Sequence, residues 1–175
     1  LPVVEWDAER LGKSTGQWCV LHTKARQEKS VAAALETQNV DYYLPLALRK
    51  RTYGRRVVTN RVPLFPGYLF VHGGEAQRIT ALKTGRIANI IPVRDQDRFS
   101  HEIQQIYRVV EQDTPMSMCT RLQKGVRCRV TGGSLKGIEG VVVSARNDYR
   151  MHIEATVLGQ SAVIEVDSSL LEPID

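Results

Sequence analysis

This 175-residue chain lacks any apolar run approaching the roughly 20 residues that a bilayer span requires, so no transmembrane helix is expected. Its first residues carry no basic segment followed by an apolar core, the pattern of a secretory signal. Cysteine is scarce. Cys19, Cys119 and Cys128 are odd in number and far apart, with no CxxC spacing. His22, His72, His101 and His152 do not stand at metal-ligand spacing from them. Reduced thiols in a cytosolic protein are expected, with no zinc site. Cys19 and Cys128 sit in strand-like runs as small core residues. No nucleophile–base pair and no paired carboxylates stand out, and Asp95, Asp97 and Glu102 are scattered surface acids. No catalytic residue, bound metal or cofactor is expected, which speaks against an enzyme.

Charge of both signs is present but unevenly spread. Leu1 to Pro115 holds 17 Lys+Arg against 12 Asp+Glu, and Met116 to Asp175 holds 7 of each. The whole net charge of +5 therefore lies in the N-terminal two thirds. Much of it is one segment without an acid: Arg49, Lys50, Arg51, Arg55, Arg56 and Arg61. Gly54 marks a turn in its middle, so the segment reads as a basic hairpin or loop. It either attracts phosphates through counterion release or is a solvated, solubilising surface.

The densest feature is Val62-Pro63-Leu64-Phe65-Pro66-Gly67-Tyr68-Leu69-Phe70-Val71. The prolines fix their own φ angles and bias the residues before them to extended backbone. Gly67 supplies a position open to positive φ. Phe65, Tyr68 and Phe70 serve equally well as core or as a contact surface, since aromatics dominate both.

Along the chain, Leu1 to Gly16 reads as an irregular leader. Trp18 to His22 is a first strand, and Lys24 to Gln38 an Ala-rich helix burying Val31, Ala32 and Leu35. Tyr42 to Leu46, Val57 to Val62 and Tyr68 to Val71 are further strands. Glu75 to Thr84 is a helix ended by Gly85, and Ile87 to Ile91 a strand. Ser100 caps a helix with the stripe Ile103, Ile106, Tyr107 and Val110. This alternation predicts an α+β sandwich of helices on one antiparallel sheet. Residues 113–123 lack periodicity and read as a linker. From Gly125 onward only short β runs remain, with turns at Asn147-Asp148 and Leu158-Gly159-Gln160. They predict a small all-β barrel, closed or nearly so.

The stretch Gly125-Val126-Arg127-Cys128-Arg129-Val130-Thr131-Gly132-Gly133-Ser134-Leu135-Lys136-Gly137-Ile138-Glu139-Gly140-Val141 resembles the KOW motif. With Phe65-Pro66-Gly67-Tyr68 upstream and Trp18 opening the first strand, the chain resembles the NusG/RfaH family of transcription elongation and antitermination factors. The resemblance runs from Gln17 to Asp175. It implies an NGN domain over 17–112, a linker over 113–123 and a KOW domain over 124–175, after an irregular leader over 1–16.

The resemblance also implies partners and roles. The NGN domain would bridge the RNA polymerase cleft, from the clamp helices of the largest subunit to the opposite pincer, and so suppress pausing. Phe65, Pro66, Tyr68, Phe70, His22 and Ile90 would meet the clamp helices. His22 stands where relatives often carry an aromatic. Lys24, Arg26 and Gln27 would meet non-template DNA, or be ordinary helix surface. Arg51, Arg55 and Arg56 would approach upstream DNA. The KOW domain would recruit a small-subunit ribosomal protein or Rho through Leu135, Lys136 and Ile138, or Leu135 would plug the core. Leu135 replaces a common phenylalanine, and with His22 it tilts the reading towards a specialised paralogue. Gly67, Gly137 and Gly140 would be structural. The β-branched content of the C-terminal part favours strands over a helical hairpin. A cytoplasmic monomer without membrane attachment is implied. The alternative is a KOW-containing ribosomal or RNA-processing protein that binds RNA.

Overall fold

A computed structural model describes residues 16–145 and 148–174. The proposed leader up to Thr15 and Asn147 of the proposed turn lie outside the described residues. The fold is α+β: a four-stranded sheet and three helices in the N-terminal region, and a separate all-β sheet. Contacts divide the described residues into one unit of 16–45 with 65–97 and another of 46–64 with those from 98 onward.

In the first unit the sheet order is β2-β5-β1-β6, all antiparallel, with β1 Gln17–Thr23, β2 Asp41–Tyr43, β5 Tyr68–Gly73 and β6 Ile87–Pro92. Buried Trp18, Val20 and Phe70 point to one face, and buried Cys19, Leu21, Leu69 and Val71 to the other. A strand buried on both faces needs no polar alternation, which explains the unbroken apolar runs. Helix α1 spans Glu28–Thr37 and α2 spans Glu75–Lys83. The helix expected from Lys24 begins later because Arg26 takes φ +61°, a left-handed angle no helix accommodates. Asn39 at φ +55° and Gly85 at φ +70° end the two helices, the usual left-handed exit. Ile79 and Leu82 on α2 are exposed, and Ala81 is its buried residue.

Helix α3 spans Gln96–Glu111 and starts four residues before the expected cap at Ser100. Gln96 explains the early start: its side chain accepts from the Trp18 N–H at 2.6 Å and donates to the Trp18 and Val93 carbonyls. Of the expected stripe, Ile103, Ile106 and Val110 are buried and Tyr107 is half-buried; Glu102, read from the sequence as a surface acid, is instead buried, as is Gln105.

In the second unit, β3 Leu46–Tyr53 and β4 Arg56–Pro63 form the two-stranded hairpin that the basic segment suggested. The C-terminal sheet runs β12-β8-β9-β10-β11-β7, with β7 Met116–Cys119, β8 Val126–Val130, β9 Glu139–Ala145, β10 Asp148–Ala155, β11 Gln160–Glu165 and β12 Leu171–Pro173. Its core holds Cys128, Val130, Ile138, Met151, Ile153 and Ile164. The segment read as linker thus contributes a strand: Met116–Cys119 pairs with β11 and covers that edge. Four residues of mixed polarity carry too little pattern to announce a strand, so the neighbour dictated it. Both outer strands, β7 and β12, are short, which limits exposed edge.

Candidate functional site

Phe65-Pro66-Gly67-Tyr68 forms a β-turn closed by a hydrogen bond from the Tyr68 N–H to the Phe65 carbonyl at 3.1 Å. Pro66 supplies the fixed φ of the second position, and Gly67 at φ +88° the left-handed third, as a type II turn demands. Gly67 is held at both ends. Its N–H donates to Oε1 of buried Glu28 at 2.6 Å, and its carbonyl accepts from the Thr23 N–H at 2.8 Å. This geometry accounts for the proline and glycine that stand out in the sequence.

The turn sorts the aromatics into two sets. Phe65 and Phe70 are 1% and 0% exposed and pack edge to face at 6.5 Å, and Phe70 also meets Tyr43. Both rings are core, so the expectation that they form a partner surface is corrected. A ring closed in on all sides has no face left for another protein. Pro66 stays exposed, and Tyr68 and His22 are half-buried. Tyr68 and His22 are directly paired across β5 and β1, and their rings stack at 4.8 Å. Ile90 is half-exposed but pairs with Leu21. Directly paired residues share a face, so Ile90 lies on the face opposite His22 and does not extend that patch. What remains together at the surface is Pro66, Tyr68 and His22.

Lys24, Arg26 and Gln27 lie in the β1–α1 connection. Lys24 and Arg26 are exposed. The Lys24 N–H donates to the Arg86 carbonyl at 2.9 Å and its Nζ to the Gly85 carbonyl at 2.8 Å, so this lysine braces the exit of α2.

Arg51, Arg55 and Arg56 are exposed on the hairpin, as are Arg49 and Lys50. Arg61 faces Asp113 at 3.7 Å. Gly54, at φ +59°, takes the first central position of the two-residue turn, where a type II′ hairpin places glycine. At the root of the hairpin a hollow of about 360 Å³ is lined by Leu46, Leu48, Lys50, Arg61, Val110 and Met116.

In the loop between β8 and β9, Leu135 is half-buried and Lys136 exposed, whereas Ile138 is fully buried. Ile138 is therefore core, which corrects its reading as a partner contact; its carbonyl accepts from the Val130 N–H at 2.9 Å. Gly137 at φ +90° needs glycine for its backbone. Gly140 needs it for space, since a Cβ there would sit 2.6 Å from the His152 carbonyl oxygen. Arg108 on α3 donates to the Lys136 carbonyl at 2.6 Å.

Some of these residues escape a sequence reading. Glu28 looks like an ordinary first-turn acid, and its partner Gly67 lies 39 residues away. Arg108 looks like a helix-end cation. Ser161 and His152, hydrogen-bonded at 3.0 Å, form a buried serine–histidine pair. Among the described residues no His, Cys, Asp and Glu cluster could hold a metal, and no helix is long and apolar enough to cross a membrane.

A four-stranded sheet with three helices, followed by an all-β sheet, is the build of an NGN plus KOW-like protein. The chain belongs to the NusG family: the model described as transcription termination factor nusG matches residues 16–123. It is a transcription factor of that family. Among solved structures it is similar to "MjSpt4:Spt5 complex conformation B", at 16% identity and a TM-score of 0.32, covering 90% of this chain and 97% of that one. No curated protein matches the sequence.

Proposed function

We propose that the chain is a cytosolic transcription elongation factor that docks onto RNA polymerase through Pro66, Tyr68 and His22. The observation that carries this reading is the braced Phe65–Tyr68 turn, which presents a stacked Tyr68–His22 pair and an exposed proline on a rigid base. Aromatic side chains on a fixed backbone bury large area at low entropic cost, the property of a docking anchor. Contact with the clamp helices on one side and the opposite pincer on the other would favour the active polymerase over the paused one. The factor then acts by population shift and makes no bond. Residues 17–112 serve as the polymerase-binding domain. Residues 124–175 recruit a small-subunit ribosomal protein or Rho through half-buried Leu135 and exposed Lys136.

The test is retention of core RNA polymerase on the immobilised full chain. The wild-type chain is expected to retain it, and Tyr68→Ser combined with His22→Ser to lose it while the fold persists. Unchanged retention by that double variant removes the docking assignment.

A further inference from the structure

Alternate residues along a strand share a face, and so do residues paired directly across two strands. The register of β3 and β4 therefore puts Leu46, Leu48 and Lys50 on one side, together with Arg61, the partner of Leu48. Arg49 and Arg51 lie on the other side. With Val110 near the end of α3 and Met116 at the start of β7, the first side encloses the hollow of about 360 Å³. All these residues belong to the second unit. A small-molecule pocket measures about 300–1,000 Å³ and has apolar walls with a few placed polar groups, and this hollow fits that description. Along β3 its lining runs from Leu46 through Leu48 to Lys50, about 13–14 Å in two alternate-residue steps. Arg61 shares its charge with Asp113 at 3.7 Å, whereas Lys50 has no hydrogen-bond or ion-pair partner among the described residues. The lining thus carries two cations against one carboxylate. Leu48 is 44% exposed. A leucine that open beside an apolar hollow gains about 25 cal/mol for each Å² that a guest covers.

We propose that this hollow binds a small amphiphilic monocarboxylate of the medium-chain fatty acid class. Its alkyl body lies against Leu46, Leu48, Val110 and Met116, and its carboxylate accepts from Nζ of Lys50. One surplus cation suits one negative charge. A dianionic phosphate would bring a second charge to Arg61, which Asp113 already engages. The apolar walls disfavour a wholly polar guest, because they return none of the hydrogen bonds it gives up in water. An amine would meet Lys50 as a like charge, and a neutral alcohol would forgo the charge-assisted bond. This site needs neither polymerase nor Tyr68, and it stands or falls apart from the docking surface proposed above.

The test titrates decanoate into the full chain below its micelle concentration, with calorimetry for affinity and methyl NMR for location. The chain has three methionines, Met116, Met118 and Met151. Saturable one-to-one binding should shift the Met116 methyl and leave that of Met151, in the core of the sheet, where it is. Butyrate keeps the charge without the body, decanol the body without the charge, and decyltrimethylammonium reverses the sign. Each should bind at least about tenfold more weakly than decanoate. Lys50→Gln should weaken decanoate by about tenfold or more, the worth of a hydrogen bond to a charged group. Leu48→Asp should abolish saturation by setting a second carboxylate beside the guest. Arg49→Gln, on the opposite side, should change nothing. All three substituted side chains are exposed, and a melting curve for each variant confirms that it folds. Binding that leaves Met116 unmoved, equal affinity for decyltrimethylammonium, or an unaffected Lys50→Gln variant would each overturn the proposal. So would absence of decanoate binding. In that case a Met116 shift on diluting the protein assigns the face to a second copy of the chain, and a shift on adding core RNA polymerase assigns it to a protein.

Discussion

Gln105 reads both backbone groups of Glu139: its Nε2 donates to the Glu139 carbonyl at 3.1 Å and its Oε1 accepts from the Glu139 N–H at 2.7 Å. The side-chain amide thus imitates a neighbouring strand. Three further contacts lie along the same helix. Glu102 accepts from the N–H and hydroxyl of Thr156, Arg98 faces Glu154 at 3.8 Å, and Arg108 donates to the Lys136 carbonyl. Helix α3 is therefore tied to the C-terminal sheet by polar side chains, two of which, Glu102 and Gln105, are buried.

Gln105→Ala should destabilise this arrangement by about 2 kcal/mol, because it strands a partly buried N–H and a carbonyl together. Urea denaturation checks the magnitude. Hydrogen exchange at the Glu139 amide checks the location, and that amide should lose its protection first.

Glu28→Ala and Gly67→Ala should weaken polymerase retention although neither residue lies on the proposed docking surface. The first removes the acceptor of the Gly67 N–H, and the second forces a Cβ into a φ of +88°, at about 1–2 kcal/mol. A Cβ at Gly67 would meet the His22 ring at 3.5 Å, an ordinary contact, so strain and not collision is the cause. If both variants retain polymerase like the wild type, the turn is not what positions Tyr68.

Ile138→Ala should cost about 2–5 kcal/mol, as an emptied core site does. Leu135→Ala, half-buried on the same loop, should cost less and act on partner capture instead. Paired thermal melts and pull-downs with the ribosomal protein and Rho distinguish the two. Equal stability losses would show Leu135 to be core.

Stability should fall as the solution is acidified through the histidine range. Burial pushes His72 and His152 below the ordinary histidine value, with nearby Arg150 adding to the effect at His152. The unfolded chain then takes up protons that the folded chain refuses. Stability is full above the unfolded value of about 6.5, declines as pH drops below it, and levels off under the folded value. Denaturation from pH 8 to pH 5 measures the decline. His152→Gln should reduce its slope and leave the part due to His72.

Much of the architecture is legible because local chemistry and global fold agree. Apolar runs at Trp18 to Leu21 and Leu69 to Val71 could only be buried strands. Gly54 announced the hairpin, and the stripe on α3 announced its buried side. Gly67 announced a position open to positive φ, which the structure fills at +88°, but the turn it closes was not announced. The site was less legible. Phe65, Phe70 and Ile138 carry the same apolar chemistry whether they face a partner or the interior, and composition does not say which. The face of Ile90 depends on a register that a six-residue strand does not reveal alone.

Residue order thus determined the two-part α+β and all-β build, the position of the turns, and the lopsided charge, because propensity, periodicity and charge are properties of neighbours along the chain. Tertiary structure alone decided which aromatics reach water, that Met116–Cys119 becomes a strand, and that Glu28 and Gln105 serve backbone groups far away in sequence. Those outcomes depend on which segments meet in space, and burial and long-range hydrogen bonding exist only after they have met.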